Sequence, residues 1–514
     1  MPTTLLKNVL SNWGGMGLSI LVAFAMTPYV IAKLGPNGYG FWALLQSLLS
    51  YMFLLEFGVR SSLMRHLAKF FALKDDRQIN EVINTGLAVY ISAGLLVAGL
   101  SCGLAAGFHQ MFIVEETDLA TTRWAVLLVG GSLALQFPSA VFESIMTGRQ
   151  RFDLINVSII ISLLFRTGLT VGALETGYGV RGLAWATFLA GALLLAVNYR
   201  FARRLFPALQ LQLSAANRST LRLLGRHSFY AFIMIGAARF LTDAGNVIVG
   251  VFLGTSMVSF YAVASSLTNY VFGVVSGIST TISPLASAYD AQGNQEGLQA
   301  LCLTGTKTIL LVGLPILATF VLAGEMFIKL WVGEGMIGSY PPLIFLSVAW
   351  GMNLLSLSSS CVLIGVSRHQ TAAWCVLGQA VLDVGCSLAL VRDYGVVGVA
   401  VGAMIAASIM NLVLQLHALR VLRIPVRMFV QQALAPAILS VVPFVLMLAL
   451  VMRTLPPTGM VGFFVCVTLA VGFFLLLLPV IGLNSVERAY VKDRASEYWR
   501  QVAGVVKKGG SGEA

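Results

Sequence analysis

The sequence predicts an all-α polytopic membrane protein, and three observations lead there. Only 11% of the 514 residues are charged and 58% are hydrophobic, with a mean hydropathy of +0.86. A soluble domain carries about 25% charged residues, and a chain this long could not cover its surface with so few. The apolar residues are gathered into fourteen runs, each long enough to cross a bilayer core, which takes about 20 residues. Lys and Arg are shared unequally between alternate connecting segments, as they are where one side of a membrane retains positive charge.

The runs start near residues 9, 38, 81, 121, 153, 180, 228, 257, 299, 341, 370, 396, 428 and 459. The first, from Val9 after a single Lys7, is too long for a cleaved signal peptide and is expected to remain as a span. The loops are short, and the longest interior one runs from Tyr199 to His227. With the N-terminus cytoplasmic, the inner segments hold 24 of the 33 Lys and Arg residues. The outer segments hold six: Lys33, Arg123, Arg181, Lys329, Arg392 and Arg453. Both termini are therefore expected in the cytoplasm. The net charge of +12 is read through this topology and calls for no nucleic acid.

The six cysteines all lie in apolar runs without metal spacing or a disulfide framework. The five histidines lie in loops or near span ends. No G-x-x-x-x-G-K-[ST] or HExxH occurs, so no P-loop hydrolysis or enzymatic chemistry is expected. After Gly482 the chain turns polar, and Asn484 with Glu487 reads as a helix cap and its third-position partner. Val486, Tyr490, Tyr498, Trp499, Val502 and Val506 among basic residues suit an amphipathic helix on the inner membrane surface, or a solvated tail helix.

An internal repeat organises the spans. VIAKLGPNGYGFWALLQSLLSY (30–51) aligns with VGVFLGTSMVSFYAVASSLTNY (249–270) at an offset of 219, pairing Gly35 with Gly254 and Tyr51 with Tyr270. MTGRQRF (146–152) resembles LIGVSRH (363–369) at 217, and ETGYGVRGLAWA (175–186) resembles VRDYGVVGVAVG (391–402) at 216. Two copies of a six-helix unit are expected. Six is even, so both enter the membrane in the same direction and are related by a pseudo-twofold axis along the membrane normal. The expected organisation is residues 1–205 and 206–420 as two parallel six-helix lobes, 421–483 as two extra helices, and 484–514 as a cytoplasmic tail. Facing bundles of this kind can rock about a central cavity.

Fourteen helices in two parallel lobes, with the stretches PYVIAKLGPNGYG and EFGVRSSLMRHLAK, resemble Wzx-type polysaccharide (O-antigen) repeat-unit flippases. These belong to the multidrug/oligosaccharidyl-lipid/polysaccharide exporter superfamily. The resemblance implies a multi-pass protein of the bacterial inner membrane. Its implied cargo is a polyprenyl-pyrophosphate-linked oligosaccharide, with other glycan-assembly membrane proteins as further partners. It also implies that helices 1, 2, 7 and 8 line the cavity. No cofactor is expected beyond H+ or Na+ as a coupling ion.

Charges inside a bilayer cost about 2.5 kcal/mol or more each, so they should face protein or a wet cavity. Arg239 and Asp243 lie four apart on one helix face, and Asn246 continues the stripe. Arg239 suits a pyrophosphate because its planar fork of donors is always charged. Asp243 would hold the guanidinium and could carry a coupling proton. The competing reading is a structural ion pair between helices. Asn269, with Ser266, Gly273, Ser276 and Thr280, forms a polar stripe on the eighth span. Asn12, with Asn8, Gly15 and Ser19, does so on the first, and Ser47, Ser50 and Ser61 on the second.

Arg166 and Asp383 are repeat-equivalent at offset 217 and could latch across the axis or line the cavity separately. Glu56 and Arg60 form either a gate at the inner end of span 2 or an interfacial pair with a snorkelling Arg. Lys307 sits two turns into span 9, where snorkelling is expected. Glu143 is expected to pair structurally near Arg149 and Arg151. Trp13, Trp42, Tyr51, Tyr261 and Tyr270 could stack on sugars or serve as anchors and packing.

A cation-coupled multidrug exporter on the same scaffold is the rival function, disfavoured by the basic residues within the spans. A membrane glycan polymerase or ligase would need a sizeable outward loop, and the largest outward segments here are only 108–120 and 324–340.

Overall fold

The computed structural model describes residues 3–56, 58–114, 118–212, 214, 217, 220–221, 229–483 and 487–488. Side chains are described from Gly14 onward, except those of residues 229–235 and 369. Among the described residues the secondary structure is entirely helical. The helices are α1 (Thr3–Ser50), α2 (Val59–Leu73), α3 (Asp76–Met111), α4 (Leu119–Gly148), α5 (Phe152–Glu175), α6 (Gly179–Leu205) and α7 (Phe229–Phe252). They continue with α8 (Thr255–Ala291), α9 (Gln295–Val332), α10 (Tyr340–Gly365), α11 (His369–Val421), α12 (Val426–Phe429), α13 (Ala435–Thr454) and α14 (Met460–Ile481). Eleven of the described helices are long and apolar enough to cross a membrane. The amphipathic tail expected beyond Glu487 and Arg488, and Asn484 with it, lie outside the described residues.

α1 and α11 each carry two of the apolar runs. At 1.5 Å per residue the 48 residues of α1 would reach about 72 Å, more than twice a bilayer core of about 30 Å. The helix is broken only at Gly35, with φ 70° and ψ 173°, and resumes at Pro36, a residue suited to a first helical position. Gly395 divides α11 in the same way, with φ 59° and ψ −139°. The loops expected there are thus single-residue breaks.

Left-handed backbone recurs at the offsets of the sequence repeat. Gly254 matches Gly35 closely, with φ 91° and ψ 171°. Lys74 and Gly293 pair at offset 219, Gln150 and Ser367 at 217, and Gly179 and Gly395 at 216, all with positive φ.

The second span departs from its expected course. The chain leaves α1 at Ser50, passes through a 3-10 turn over Tyr51–Glu56, and turns at Gly58 (φ 69°) into α2. Ser61 therefore lies on a different helix from Ser47 and Ser50. Its counterpart α8 runs without a break from Thr255 to Ala291.

Helices α1–α6 pack chiefly on one another, as do α7–α11, and α1 joins the two groups by packing on α7 and α8. α13 and α14 pack together, α13 leans on α9, and Phe463 of α14 meets Phe327 of α9 at 5.3 Å. Contacts between the groups are tight at the end carrying Gly35 and Gly254. Gly40 lies so close to Thr255 that a Cβ there would collide with its carbonyl oxygen. Trp331 Nε1 donates to the Phe24 carbonyl at 3.1 Å while its ring stacks on Phe24 at 4.8 Å. The Thr255 N–H donates to the Ile113 carbonyl at 3.1 Å.

At the opposite end, two asparagines hold the connection between the groups. Asn80 donates to the Ala208 carbonyl (3.0 Å) and accepts from the Gln210 N–H (2.8 Å). One turn on, Asn84 donates to the Gln210 carbonyl (2.7 Å) and accepts from the Gln212 N–H (2.7 Å). Each amide thus satisfies backbone groups of a connecting segment that belongs to no helix.

Candidate functional site: two cavities and a polar seam

The stripe read from GAARFLTDAGN faces the other group of helices. The second half of α1 and α7 run antiparallel, and their side chains meet as a ladder. Asn246 Nδ2 donates to Ser47 Oγ at 2.9 Å, and Ser50 Oγ donates to Asp243 Oδ2 at 2.5 Å. Phe240 packs on Tyr51 at 5.0 Å, and the Arg239 guanidinium lies over the Phe53 ring at 5.5 Å. Arg239 and Asp243 form no ion pair among the described contacts, which corrects the expectation that the carboxylate holds the guanidinium. The Ser50 hydroxyl engages the acid, and the arginine reaches the 3-10 turn instead. Asn246 is buried and its Oδ1 has no partner among the described residues.

Two cavities with polar side chains on largely apolar walls flank this seam. One, of about 550 Å³, lies among α1, α4, α5 and α6, with Ser19, Gln46, Gln136, Arg166 and Thr170 on its wall. The other, of about 540 Å³, lies among α7, α8, α10 and α11, with Asn269, Trp350, Asn353, Gln379, Asp383 and Asn411 on its wall. Arg166 and Asp383 therefore sit in separate cavities, and the latch between them does not form. Arg166 lies among the first group's helices, while Asp383 accepts from Ser387 Oγ at 3.1 Å within α11. Gln136 and Asn353, also at offset 217, take corresponding places in the two walls.

The second cavity is backed by an amide network. Asn411 Nδ2 donates to Asn353 Oδ1 (2.9 Å) and lies 3.2 Å from Gln379 Oε1. Ser356 Oγ donates to Asn411 Oδ1 at 2.5 Å. Reasoning from charge alone misses these amides. The available signal was a set of uncharged polar residues inside apolar runs, with Gln379 four residues before Asp383.

The remaining charges are placed differently from expectation. Glu56 accepts from the fully buried Tyr90 hydroxyl at 3.1 Å, whereas Arg60 pairs with Glu143. The two do not pair with each other among the described contacts, because the turn at Gly58 separates them. Glu143 is thereby drawn to α2 and away from Arg149, which lies over Phe71, and Arg151, which pairs with Asp153. Lys307 does not snorkel. It is 4% exposed and pairs with Glu487, the residue expected to partner the Asn484 cap of the tail helix. Asn269 lines the second cavity, and Ser276 meets the Met16 sulfur at 3.8 Å. The side chains of Asn12 and Trp13 lie outside the described residues. Trp42 lines the first cavity, Tyr261 the second, and Tyr270 stands edge-on to Phe24 at 6.4 Å. The six cysteines are free, and no metal-binding group of His, Cys, Asp or Glu occurs among the described residues.

Comparison with known proteins agrees with the resemblance read from the sequence. An uncharacterised membrane protein of Bacillus subtilis, EpsK, is 24% identical over 357 residues, covering 67% of this chain and 68% of that protein. A putative O-antigen transporter of Shigella flexneri is 20% identical over 430 residues, covering 80% and 97%. The lipid II flippase MurJ, in an inward closed conformation, shares the fold with a TM-score of 0.71 at 14% identity, covering 92% of this chain and 98% of that one. Residues 30–340, more than half of the chain, match the family described as polysaccharide biosynthesis protein, and the chain belongs to that family.

Proposed function

We propose that this membrane transporter flips a polyprenyl-pyrophosphate-linked oligosaccharide repeat unit from the cytoplasmic to the periplasmic leaflet of a bacterial inner membrane. Its two parallel halves alternate access about the pseudo-twofold axis, both termini lie in the cytoplasm, and H+ or Na+ drives the cycle. The polar seam carries this reading. Two groups of helices meet through Ser47, Ser50, Asp243 and Asn246, with a polar cavity on each side. Hydrogen-bonded side chains at an interface within the bilayer can part and be satisfied by a hydroxyl-rich cargo, whereas purely apolar packing could not.

The distribution of Lys and Arg assigns the tightly closed end to the periplasm, which supports a state sealed outward. Arg239, half-exposed beside Phe53, is the group proposed to meet the pyrophosphate. Asp383 beside Trp350 favours a second reading, export of organic cations, against which Arg166 in the equivalent cavity stands. No catalytic step is part of either reading.

Deletion of the protein should leave lipid-linked repeat units on the inner leaflet. Arg239→Ala should abolish surface glycan while the protein still reaches the membrane. Normal export in that variant would remove Arg239 from the mechanism, and a deletion strain without lipid-linked intermediates would remove the function.

A further inference from the structure

We infer that the cavity among α7, α8, α10 and α11 is a subsite for a sugar ring of the cargo, with Asp383 accepting from ring hydroxyls and Trp350 supplying the stacking face. The inference rests on the flippase reading and names what one half of the device grips. The cavity's volume of about 540 Å³ falls within the range of small-molecule sites, about 300–1,000 Å³.

Its chemistry is specific. Asp383 is 8% exposed and lines the cavity. It receives one hydrogen bond among the described contacts, from Ser387 Oγ at 3.1 Å, and that hydroxyl also lies 3.2 Å from the Val399 carbonyl. One hydroxyl carries one proton, so the carboxylate holds at most this single shared donor. A buried carboxylate with free lone pairs calls for donors from a ligand.

The rest of the wall carries no second charge and is largely apolar, with Asn269, Asn353, Gln379 and Asn411 among its polar groups. Gln379 is 6% exposed and Asn411 5%, and both are fixed by Asn353, so their remaining capacity is pre-oriented. Trp350 lies one turn before Asn353 on α10 and is braced by Phe272 at 5.3 Å. An aromatic face beside amides and one acid fits a ring with an apolar face and a hydroxyl rim. An organic cation would leave the amides without work. The equivalent cavity has Arg166 where this one has Asp383, so the two cavities differ in charge and the acceptor for ring hydroxyls is found in this one.

The full chain in lipid nanodiscs is presented with a panel of methyl glycosides of glucose, galactose, mannose, rhamnose and N-acetylglucosamine. Tetraphenylphosphonium and Na+ serve as rival probes. Saturation-transfer NMR reads the organic probes and 23Na relaxation the ion. At least one glycoside should receive saturation, and the signal should fall about ten-fold in Asp383→Asn and in Trp350→Phe, as expected for one charge-assisted or stacking contact. It should persist in Cys102→Ser, and the variants should keep the parent melting temperature. Saturation of no glycoside, an equal signal in both variants, or binding of tetraphenylphosphonium or Na+ alone overturns the inference. If glycosides fail while a deletion strain accumulates lipid-linked glycan, the subsite falls and the flippase stands. If glycosides bind while the deletion strain exports normally, the reverse holds.

Discussion

The pairing of Lys307 with Glu487 yields the sharpest energetic prediction. Lys307 lies inside α9 with its side chain 5% exposed, and Glu487 is 20% exposed. Glu487→Gln leaves the ammonium buried without its counter-charge, and breaking a buried pair in this way costs about 3–5 kcal/mol. Because a fifth of the carboxylate already meets solvent, we expect about 2–3 kcal/mol here. Lys307→Met removes the buried charge together with the need for a partner, and long apolar side chains of similar shape substitute for buried pairs at little cost. The double variant Lys307→Met with Glu487→Gln should therefore be more stable than Glu487→Gln alone. Cys302 is a built-in reporter: it lies five residues before Lys307, is fully buried, and contacts Ser359 Oγ at 3.3 Å. The rate at which a maleimide labels Cys302 in detergent, in a chain whose other cysteines are serine, should rise about thirty- to hundred-and-sixty-fold in Glu487→Gln. It should return towards the parent rate in the double variant. Equal labelling of Glu487→Gln and parent would refute the pairing, and an equal increase in Lys307→Met would refute the desolvation argument.

Three further outcomes follow from other contacts. Gly40→Ala should weaken closure of the Gly35 end by about 1–3 kcal/mol, since a Cβ meets the Thr255 carbonyl; disulfide formation between Phe24→Cys and Trp331→Cys should fall accordingly, and undiminished cross-linking would count against the close approach. Asn84→Ala removes two bonds of 2.7 Å to the connecting strand, worth about 2 kcal/mol together; chymotryptic cleavage after Leu209 or Leu211 should then appear first, and an unchanged digest would mean that Asn80 alone holds the strand. Arg166→Asp combined with Asp383→Arg should export no better than the weaker single variant, because the residues occupy different cavities; restored export would show that the cavities meet in another state.

Much of this architecture could be read from the chain because it is written in short-range signals. Apolar runs mark helices, and Gly35 and Gly395 mark the breaks within α1 and α11. Those glycines could be located but not interpreted. The stretch LGPNGYG reads as a loop, whereas a single residue with positive φ suffices when proline can restart the helix. The site was less legible, since its partners are remote in sequence. Asp243 meets Ser50 across 193 positions, Arg60 meets Glu143 across 83, and Lys307 meets Glu487 across 180. Helix spacing places Arg239 and Asp243 on one face, and that much is so. Whether two residues on one face touch depends on what the opposing helix offers, and Ser50 and Phe53 outcompete the intrahelical pair. The amides escaped because a neutral polar residue in an apolar run gives no charge signal, although several of them facing one cavity decide its chemistry.

The difference between the two copies of span 2 bears on which half bends. Tyr51 and Tyr270 are repeat-equivalent, as are Gly58 and Gly277, yet the first copy breaks into a 3-10 turn and the second stays helical. At the same offsets, Glu56, Arg60 and Tyr90 correspond to Val275, Ser279 and Ile309, and Glu143 corresponds to Ser360. The first half thus carries an ionic cluster where the second carries apolar residues and two serines. A broken helix exposes backbone donors and acceptors that the bilayer cannot satisfy. Charged side chains are also costly there unless paired. Both difficulties are met at one place: Arg60 and Glu143 pin α2 to α4 beyond the break, and Tyr90 holds Glu56 before it. Val275 and Ile309 are fully buried and favour the unbroken α8. Under the proposed cycle, the copy that already contains a pinned break can change its angle by exchanging side-chain partners, whereas the unbroken copy has no such break over Tyr270–Gly277. Under the proposed alternating access, the first half is therefore the one expected to bend against α8.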